Sequence, residues 1–268
     1  MEYLFNAWDT IAKKIDKNNL FIFLDFDGTL APIVSTPDKA VLPKASKMLL
    51  KRLAEKQEVK LAFISGRQIN DIKSKIGIKN AIYSGSHGLQ LEGPKIKFEP
   101  LFSAGYQMII DRIKNELRQK TAHIQGVFVE DKGVVLTLHY RLVSRKEIPA
   151  LKIIFHEAVI QYIERNKINI KSGKMVLEVM PPVKWNKGNV VLWLLARSLF
   201  GLQRGAILPI YVGDDVTDED AFRVLKNKGL TVFVGKYKKS SAQYYLKDHN
   251  EVRDFLERIL GKYNGRIN

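Results

Sequence analysis

The chain has 268 residues, 46% apolar and 27% charged, which is enough apolar material for a buried core and too ordinary a charge fraction for a disordered chain. It contains no cysteine, so disulfides, thiolate metal sites and thiol catalysis are excluded, and any metal must be held by oxygen or imidazole. No apolar run reaches the roughly 18–20 residues that span a bilayer, and the early acidic residues of MEYLFNAWDTIAKKIDKNN are not those of a signal peptide. A cytoplasmic protein with no membrane partner is expected.

The net charge is +16, and residues 223–268 hold eleven Lys/Arg against four Asp/Glu. Such a balance suits nucleic acid, acidic lipid or an anionic small substrate. No zinc finger, RNP-like aromatic strand or dense basic run accompanies it. The basic surface is therefore read as solvated, with no nucleic-acid partner, and the chain as a monomer.

The chain opens with an amphipathic helix carrying Tyr3, Leu4, Trp8, Ile11 and Ile15 on one face. Leu20–Asp25 (LFIFLD) is an unbroken apolar run, the mark of a strand buried on both faces. A helix follows over Lys44–Lys56, a second buried strand over Val59–Ile64, a short helix over Ile69–Ile76 and a third strand over Ala81–Ser84. This alternation predicts a parallel sheet covered by helices. Leu89–Phe98 reads as a hairpin around Gly93-Pro94.

The middle of the chain differs. A helix is predicted over Gly105–Lys120, strands over Val127–Glu130 and Val134–Tyr140, a long helix over Ile148–Asn166, and a hairpin of Ile168–Ser172 with Lys174–Met180. After Pro181-Pro182 the α/β pattern resumes: helix Lys187–Phe200, strand Ala206–Val212, helix Glu219–Asn227, final strand Leu230–Val234 and closing helix Glu251–Lys262. The expected fold class is α/β, a Rossmann-like parallel-sheet core over 1–102 and 184–268, with an inserted α+β cap over 103–183.

Open α/β sheets bind ligands at the carboxyl ends of their strands, and four such places carry functional residue types. Asp25 and Asp27 of DFDGT stand two apart, on the same side as the first buried strand opens into a loop. Two carboxylates held together need a counter-charge, which a hard cation such as Mg²⁺ supplies. An ionised carboxylate can attack phosphorus, and its neighbour can move the leaving-group proton. Gly28 gives the turn its freedom and Thr29 a phosphate-facing hydroxyl. Ser65-Gly66-Arg67 ends the second strand where a helix begins, an anion site. Tyr83-Ser84-Gly85-Ser86-His87-Gly88 ends the third; Arg67 and His87 are expected to meet substrate, the alternative for His87 being a bond to backbone only. Lys187 opens a helix, where its charge opposes the macrodipole and a phosphate would neutralise it. Gly213-Asp214-Asp215-Val216-Thr217-Asp218-Glu219-Asp220 crowds acids at a strand end that would repel without a cation, although some also serve as helix caps.

In this order, Asp25–Thr29, Ser65, Lys187 and Asp214–Asp218 resemble the four signature motifs of the haloacid dehalogenase superfamily. Within it, the segments DFDGTLAPI, SGR, GSHG, VEDKGVVLTLHYR, GKMVLEVMPP, WNKG and GDDVTDEDAF are similar to the trehalose-6-phosphate phosphatase family. The resemblance implies a phosphatase with Asp25 as nucleophile and Asp27 as general acid/base. It implies Mg²⁺ held by Asp25, the Asp27 carbonyl and Asp214 with Asp218 nearby, and phosphate held by Ser65 and Lys187. It further implies that Glu130, Lys132, Arg141, Lys174 and Glu178 of the cap bind the hydroxyls of a small substrate, trehalose 6-phosphate. Met180 departs from the pattern, standing where the family commonly has Arg in LEVRP. A phosphatase for another sugar phosphate, such as sucrose phosphate or a glycosylglycerate phosphate, stays open.

Overall fold

A computed structural model of the chain describes residues 1–98, 103–183, 185–199, 206–236 and 239–264. In chain order its elements are β1 (Glu2–Tyr3), α1 (Trp8–Asp16), β2 (Asn19–Leu24), α2 (Lys44–Ala54), β3 (Val59–Ile64), α3 (Ile69–Ile76), β4 (Ile82–Gly85), β5 (Gln90–Gly93) and β6 (Ile96–Phe98). They continue with α4 (Ala104–Thr121), β7 (Phe128–Asp131), β8 (Leu136–His139), α5 (Ile148–Glu164), β9 (Asn169–Gly173) and β10 (Val176–Met180). The last are α6 (Lys187–Leu199), β11 (Ile207–Gly213), α7 (Glu219–Leu225), β12 (Leu230–Val234), β13 (Tyr244–Leu246) and α8 (His249–Asn264). The chain divides into two compact units, Met1–Glu99 with Trp185–Asn268, and Pro100–Lys184. The boundary predicted at 102/103, the residue Lys184 and the helix end at Phe200 fall at or on residues outside those described.

In the first unit, the described residues form a nine-stranded sheet of order β1-β13-β12-β11-β2-β3-β4-β5-β6. The strands from β1 to β4 pair in parallel, and β5 and β6 extend the sheet as an antiparallel hairpin. β2 sits between β11 and β3, which explains its unbroken apolar sequence. Its period of two divides that sequence between two layers. Leu20, Ile22 and Leu24 pack with Ile11, Leu50, Ile72 and Phe255, hence with α1, α2, α3 and α8. Phe21 and Phe23 pack with Val190, Leu194 and Phe222, hence with α6 and α7. Each fully buried side chain of this kind contributes roughly 1.5–3 kcal/mol.

Two expectations are corrected here. The N-terminal helix starts at Trp8, not at the beginning of the chain: Tyr3 lies in β1 and Leu4–Ala7 form a 3-10 turn. Pairing of β1 with β13, the Tyr3 hydroxyl donating to Glu251 at 2.9 Å, and the contact of its ring with Tyr245 override the local helical spacing. Leu230–Val234 is likewise not the last strand, because β13 continues the sheet beyond it. Strands of two and three residues carry too little periodicity to read, and they exist only through their partners.

In the second unit, the described strands form an antiparallel sheet of order β7-β8-β10-β9. Val129, Leu136, Leu138, Leu177 and Val179 pack on one face against Ile110, Ile113 and Leu117 of α4 and Leu151, Phe155 and Val159 of α5. The opposite face is polar. Glu130 pairs with Thr137, Thr137 with Glu178 and Glu178 with Lys171, so one row crosses all four strands.

Candidate active site

β2 delivers Asp25 to the carboxyl end of the sheet, where its amide donates to the Val212 carbonyl of β11 at 3.0 Å. The chain then turns tightly, with the amides of Leu30 and Ala31 both donating to the Phe26 carbonyl. Gly28 has φ +87°, and a Cβ there would fall 2.1 Å from Asp214 Oδ2. Only glycine lets this loop approach the loop after β11 so closely.

Lys187 opens α6 and is 3% exposed. Its Nζ donates to Asp25 Oδ1 and to Asp218 Oδ1, each at 2.7 Å. Asp218 is the anchor of the group. Its Oδ1 also accepts from the Tyr211 hydroxyl at 2.7 Å, and its Oδ2 accepts from the amides of Asp214 and Asp215 at 3.0 and 2.9 Å. These four bonds fix the lysine and the strand-to-helix turn together. The turn is a capping box in which Asp215 and Asp218 cap each other's backbone.

Asp25, Asp214 and Asp218 each place a carboxylate oxygen within 4.8 Å of the others, and all three are buried. Lys187 is one cation among three carboxylates. Burial pulls the lysine down, but Asp218 and Asp25 outweigh it and hold its pKa well above the ordinary value. Burial pushes the Asp25 carboxyl well above the usual carboxylate range, with Asp218 and Asp214 adding to the shift and Lys187 opposing it. An all-oxygen, charge-deficient cradle of this kind fits a hard divalent cation. A cation among Asp25, Asp214 and Asp218 would offset the burial and the repulsion that raise Asp25.

The loops after β3 and β4 are laced together beside this cluster. The Ser65 amide donates to Ser84 O, the Ser86 amide to Arg67 O and the His87 amide to Ser65 O. Ser65 is buried, and its Oγ accepts the Arg67 amide at 3.1 Å. Ser86, His87 and Gly88 all have positive φ, at 51°, 58° and 102°. For a non-glycine residue that region costs roughly 1–2 kcal/mol, and such strain concentrates at functional sites. The His87 ring is buried against Gly66, where an added Cβ would lie 2.6 Å from it. His87 thus packs the two loops together. Thr29 is fully buried, and its hydroxyl has no hydrogen-bond partner among the described residues.

Arg67 differs most from expectation. Instead of being presented to a ligand it is 8% exposed, with its guanidinium committed to protein. Nε and Nη2 donate to Asp27 Oδ2 and Oδ1, both at 2.7 Å. Nη1 donates to Asp71 Oδ2 at 2.6 Å and Nη2 also to the Pro37 carbonyl at 2.9 Å. Burial pulls the guanidinium down, but Asp27 and Asp71 outweigh it and raise its pKa above the ordinary value. Asp25 and Asp27, two residues apart, therefore point into different surroundings.

Within the second unit, the polar row gathers three of the five predicted sugar contacts. Lys132 Nζ donates to Glu178 Oε1 at 3.3 Å and lies 3.9 Å from Glu130 Oε2. Thr137 Oγ1 donates to the same Glu178 oxygen at 3.2 Å, and His139 Nε2 lies 2.8 Å from Glu130 Oε2. Arg141 and Lys174 are exposed and linked to each other by Arg141 Nη2 donating to the Lys174 carbonyl at 2.9 Å. Thr137 and His139 were not singled out from the sequence; the alternation of LTLH puts the two on one face of β8, and the pairing of β7 with β8 makes it the face of Glu130. Tyr211 and Asp71 carry no sequence signal of a site.

No helix of the described residues is long and apolar enough to cross a membrane. A family model described as trehalose-phosphatase matches residues 23–250. "Trehalose-phosphate phosphatase B" of Arabidopsis thaliana is 35% identical over 269 residues, covering 95% of this chain and 70% of the relative. "Probable trehalose-phosphate phosphatase C" of the same plant is 34% identical, covering 95% of this chain and 81% of the relative. Among solved structures, the C-terminal domain of the C. albicans trehalose-6-phosphate phosphatase superposes with a TM-score of 0.79 at 26% identity, covering 94% of this chain and 96% of that one. The architecture is that of the haloacid dehalogenase hydrolases, and the chain belongs to the trehalose-phosphatase family.

Proposed function

We propose that the chain hydrolyses trehalose 6-phosphate to trehalose and inorganic phosphate through an aspartyl-phosphate at Asp25. The observation that carries this reading is the buried cluster of Asp25, Lys187, Asp214 and Asp218 at the carboxyl end of β2. The names of the relatives supply the sugar.

Asp25 Oδ attacks phosphorus, and the bond to the sugar oxygen breaks as Asp27 gives that oxygen a proton. Asp27, now ionised, takes a proton from water, which attacks the aspartyl-phosphate and frees phosphate. Lys187 neutralises charge on the phosphoryl oxygens, with Ser65 and its loop amides as further donors and Thr29 beside them. A bound Mg²⁺, held by Asp25, the Asp27 carbonyl and Asp214 with Asp218 behind, would supply electrostatic stabilisation of the transferring phosphoryl group.

Residues 103–183 are assigned as the cap that reads the sugar. Glu130, Lys132 and Glu178 form a preorganised set of acceptors and donors suited to vicinal hydroxyls, and Arg141 and Lys174 extend it. The protein is assigned as a monomeric cytoplasmic enzyme with a small-molecule substrate.

Phosphate release from a panel of sugar phosphates, with Mg²⁺ and with EDTA, tests the reading. Trehalose 6-phosphate should be the best substrate, and EDTA should silence it. A preference for sucrose phosphate or a glycosylglycerate phosphate would overturn the substrate assignment.

A further inference from the structure

We propose that Arg67 is the positioning residue of the proton-transfer step, setting the carboxylate of Asp27, with Asp71 and the Pro37 carbonyl as its rear anchor. The inference rests on the proposed hydrolysis with Asp27 as proton donor.

The geometry has three parts. The first is a two-pronged grip: Arg67 Nε and Nη2 each meet one oxygen of Asp27 at 2.7 Å. A two-point contact fixes both the position and the plane of a carboxylate, which a single bond does not. A carboxylate has about four lone-pair sites. The fork occupies one on each oxygen and leaves one on each directed outward. The Asp27 side chain is 43% exposed, so that outward side is open.

The second part is the state of the arginine. It is nine-tenths buried and lies over the Phe26 ring, its carbon 5.3 Å from the ring centre. A buried guanidinium of this kind cannot wander, so what it grips is held to the frame of the sheet. The third part is the rear anchor. During the first half-reaction Asp27 must carry a proton, and its attraction for Arg67 weakens. Were Asp27 the only partner, a buried cation would be left stranded, at a high free-energy cost. Asp71, in the first turn of α3, and the Pro37 carbonyl keep the guanidinium paired throughout.

The proton balance follows. In the proposed acid role, the proton leaves from an outward lone pair of Asp27. As Asp25 forms its bond to phosphorus, the electrons of the breaking P–O bond stay on the ester oxygen, which takes that proton. Asp27 is left as a carboxylate, restored to full pairing with Arg67 and aimed at the site where water will attack.

A positioning role for the proton donor has a signature that neither sugar contact nor folding shares. The quantity kcat/KM reports the steps up to leaving-group departure, and good leaving groups need little protonation. We would measure it for a series without sugar, from p-nitrophenyl phosphate through phenyl phosphate to a simple alkyl phosphate, in Mg²⁺. For Arg67→Gln the loss should be about tenfold or less on the p-nitrophenyl ester and about 100-fold or more on the alkyl ester. The dependence on leaving-group pKa should steepen accordingly. Arg67→Lys should recover part of the slope, because a single ammonium cannot grip both oxygens. Asp71→Asn should steepen it in the same direction, with a loss of about threefold on the alkyl ester relative to the aryl ester.

An unchanged slope in Arg67→Gln, whether activity is kept or lost uniformly across the series, would overturn the proposal and leave Arg67 a structural role at most. Asp27→Asn separates this failure from that of the underlying reading. If Asp27→Asn steepens the slope and Arg67→Gln does not, the role of Arg67 falls alone. If Asp27→Asn also leaves the slope unchanged, Asp27 is not the proton donor.

Discussion

Both units bury charged side chains, but in opposite ways. In the first unit, Lys187 donates to Asp25 and Asp218, both at 2.7 Å, beside Asp214, and the carboxylates outnumber the cation. In the second, Glu130, Lys132, Thr137, His139 and Glu178 meet one another at 2.8–3.9 Å. The first arrangement is short of positive charge and tightly held, as suits a fixed cation and a phosphoryl group. The second is nearly balanced and built of exchangeable hydrogen bonds, as suits neutral hydroxyls. The comparison separates chemistry from recognition: changes in the first should abolish turnover, and changes in the second should alter which substrate is used.

The largest expected effect is that of Asp25→Asn. It removes the proposed nucleophile and should lower kcat by about 10⁴-fold or more on every phosphate ester, with phosphate release as the measure. Activity near wild type would break the chemical side of the comparison. Next is Lys187→Met, which leaves Asp218 and Asp25 buried without their ammonium. Breaking such a pair should cost about 3–5 kcal/mol of stability, seen as a lower denaturation midpoint, together with a large fall in kcat. Added Mg²⁺ should restore part of the stability but not the rate.

Glu178→Gln should raise KM for trehalose 6-phosphate about tenfold while leaving p-nitrophenyl phosphate within about twofold. Equal losses on both substrates would erase the distinction between the units. The smallest effect concerns the turn beside the polar row. Burial pushes the Asp131 carboxyl up, but Lys114 and the Gly133 amide outweigh it and hold its pKa below the ordinary value. The stability this gives is present above the unfolded carboxylate pKa of about 4 and is lost as the pH falls through the lower folded value. Asp131→Asn should therefore remove about 0.2–1 kcal/mol at neutral pH and flatten the acid limb of a stability-against-pH curve.

Much of the site was legible because its residues sit at strand ends within short, strongly patterned segments. LFIFLDFDG announces both a buried strand and the two acids that follow it, and ILPIYVGDD does the same. The reading of Tyr3 as helical failed because two residues of strand carry no period of their own. The inward turn of Arg67 was not legible for a related reason. Nothing in SGR shows that the side chain turns inward to Asp27, 40 residues away, and to the Pro37 carbonyl, 30 away. The polar row was half legible: alternation places Thr137, His139, Glu130 and Glu178 on strand faces, but not on the same face of the same sheet.

The amino-acid sequence by itself determined the strand and helix order of the α/β core, the glycine at position 28 and the residue types of the phosphoryl-transfer chemistry. These follow from periodicity, local sterics and charge, all of which act over a few residues. Only the tertiary structure decided that Lys187 lies between Asp25 and Asp218, 162 and 31 residues distant in sequence, that Asp218 accepts from Tyr211, and that Arg67 grips Asp27. Those pairings depend on which strands become neighbours and on burial strong enough to force every charge to find a partner.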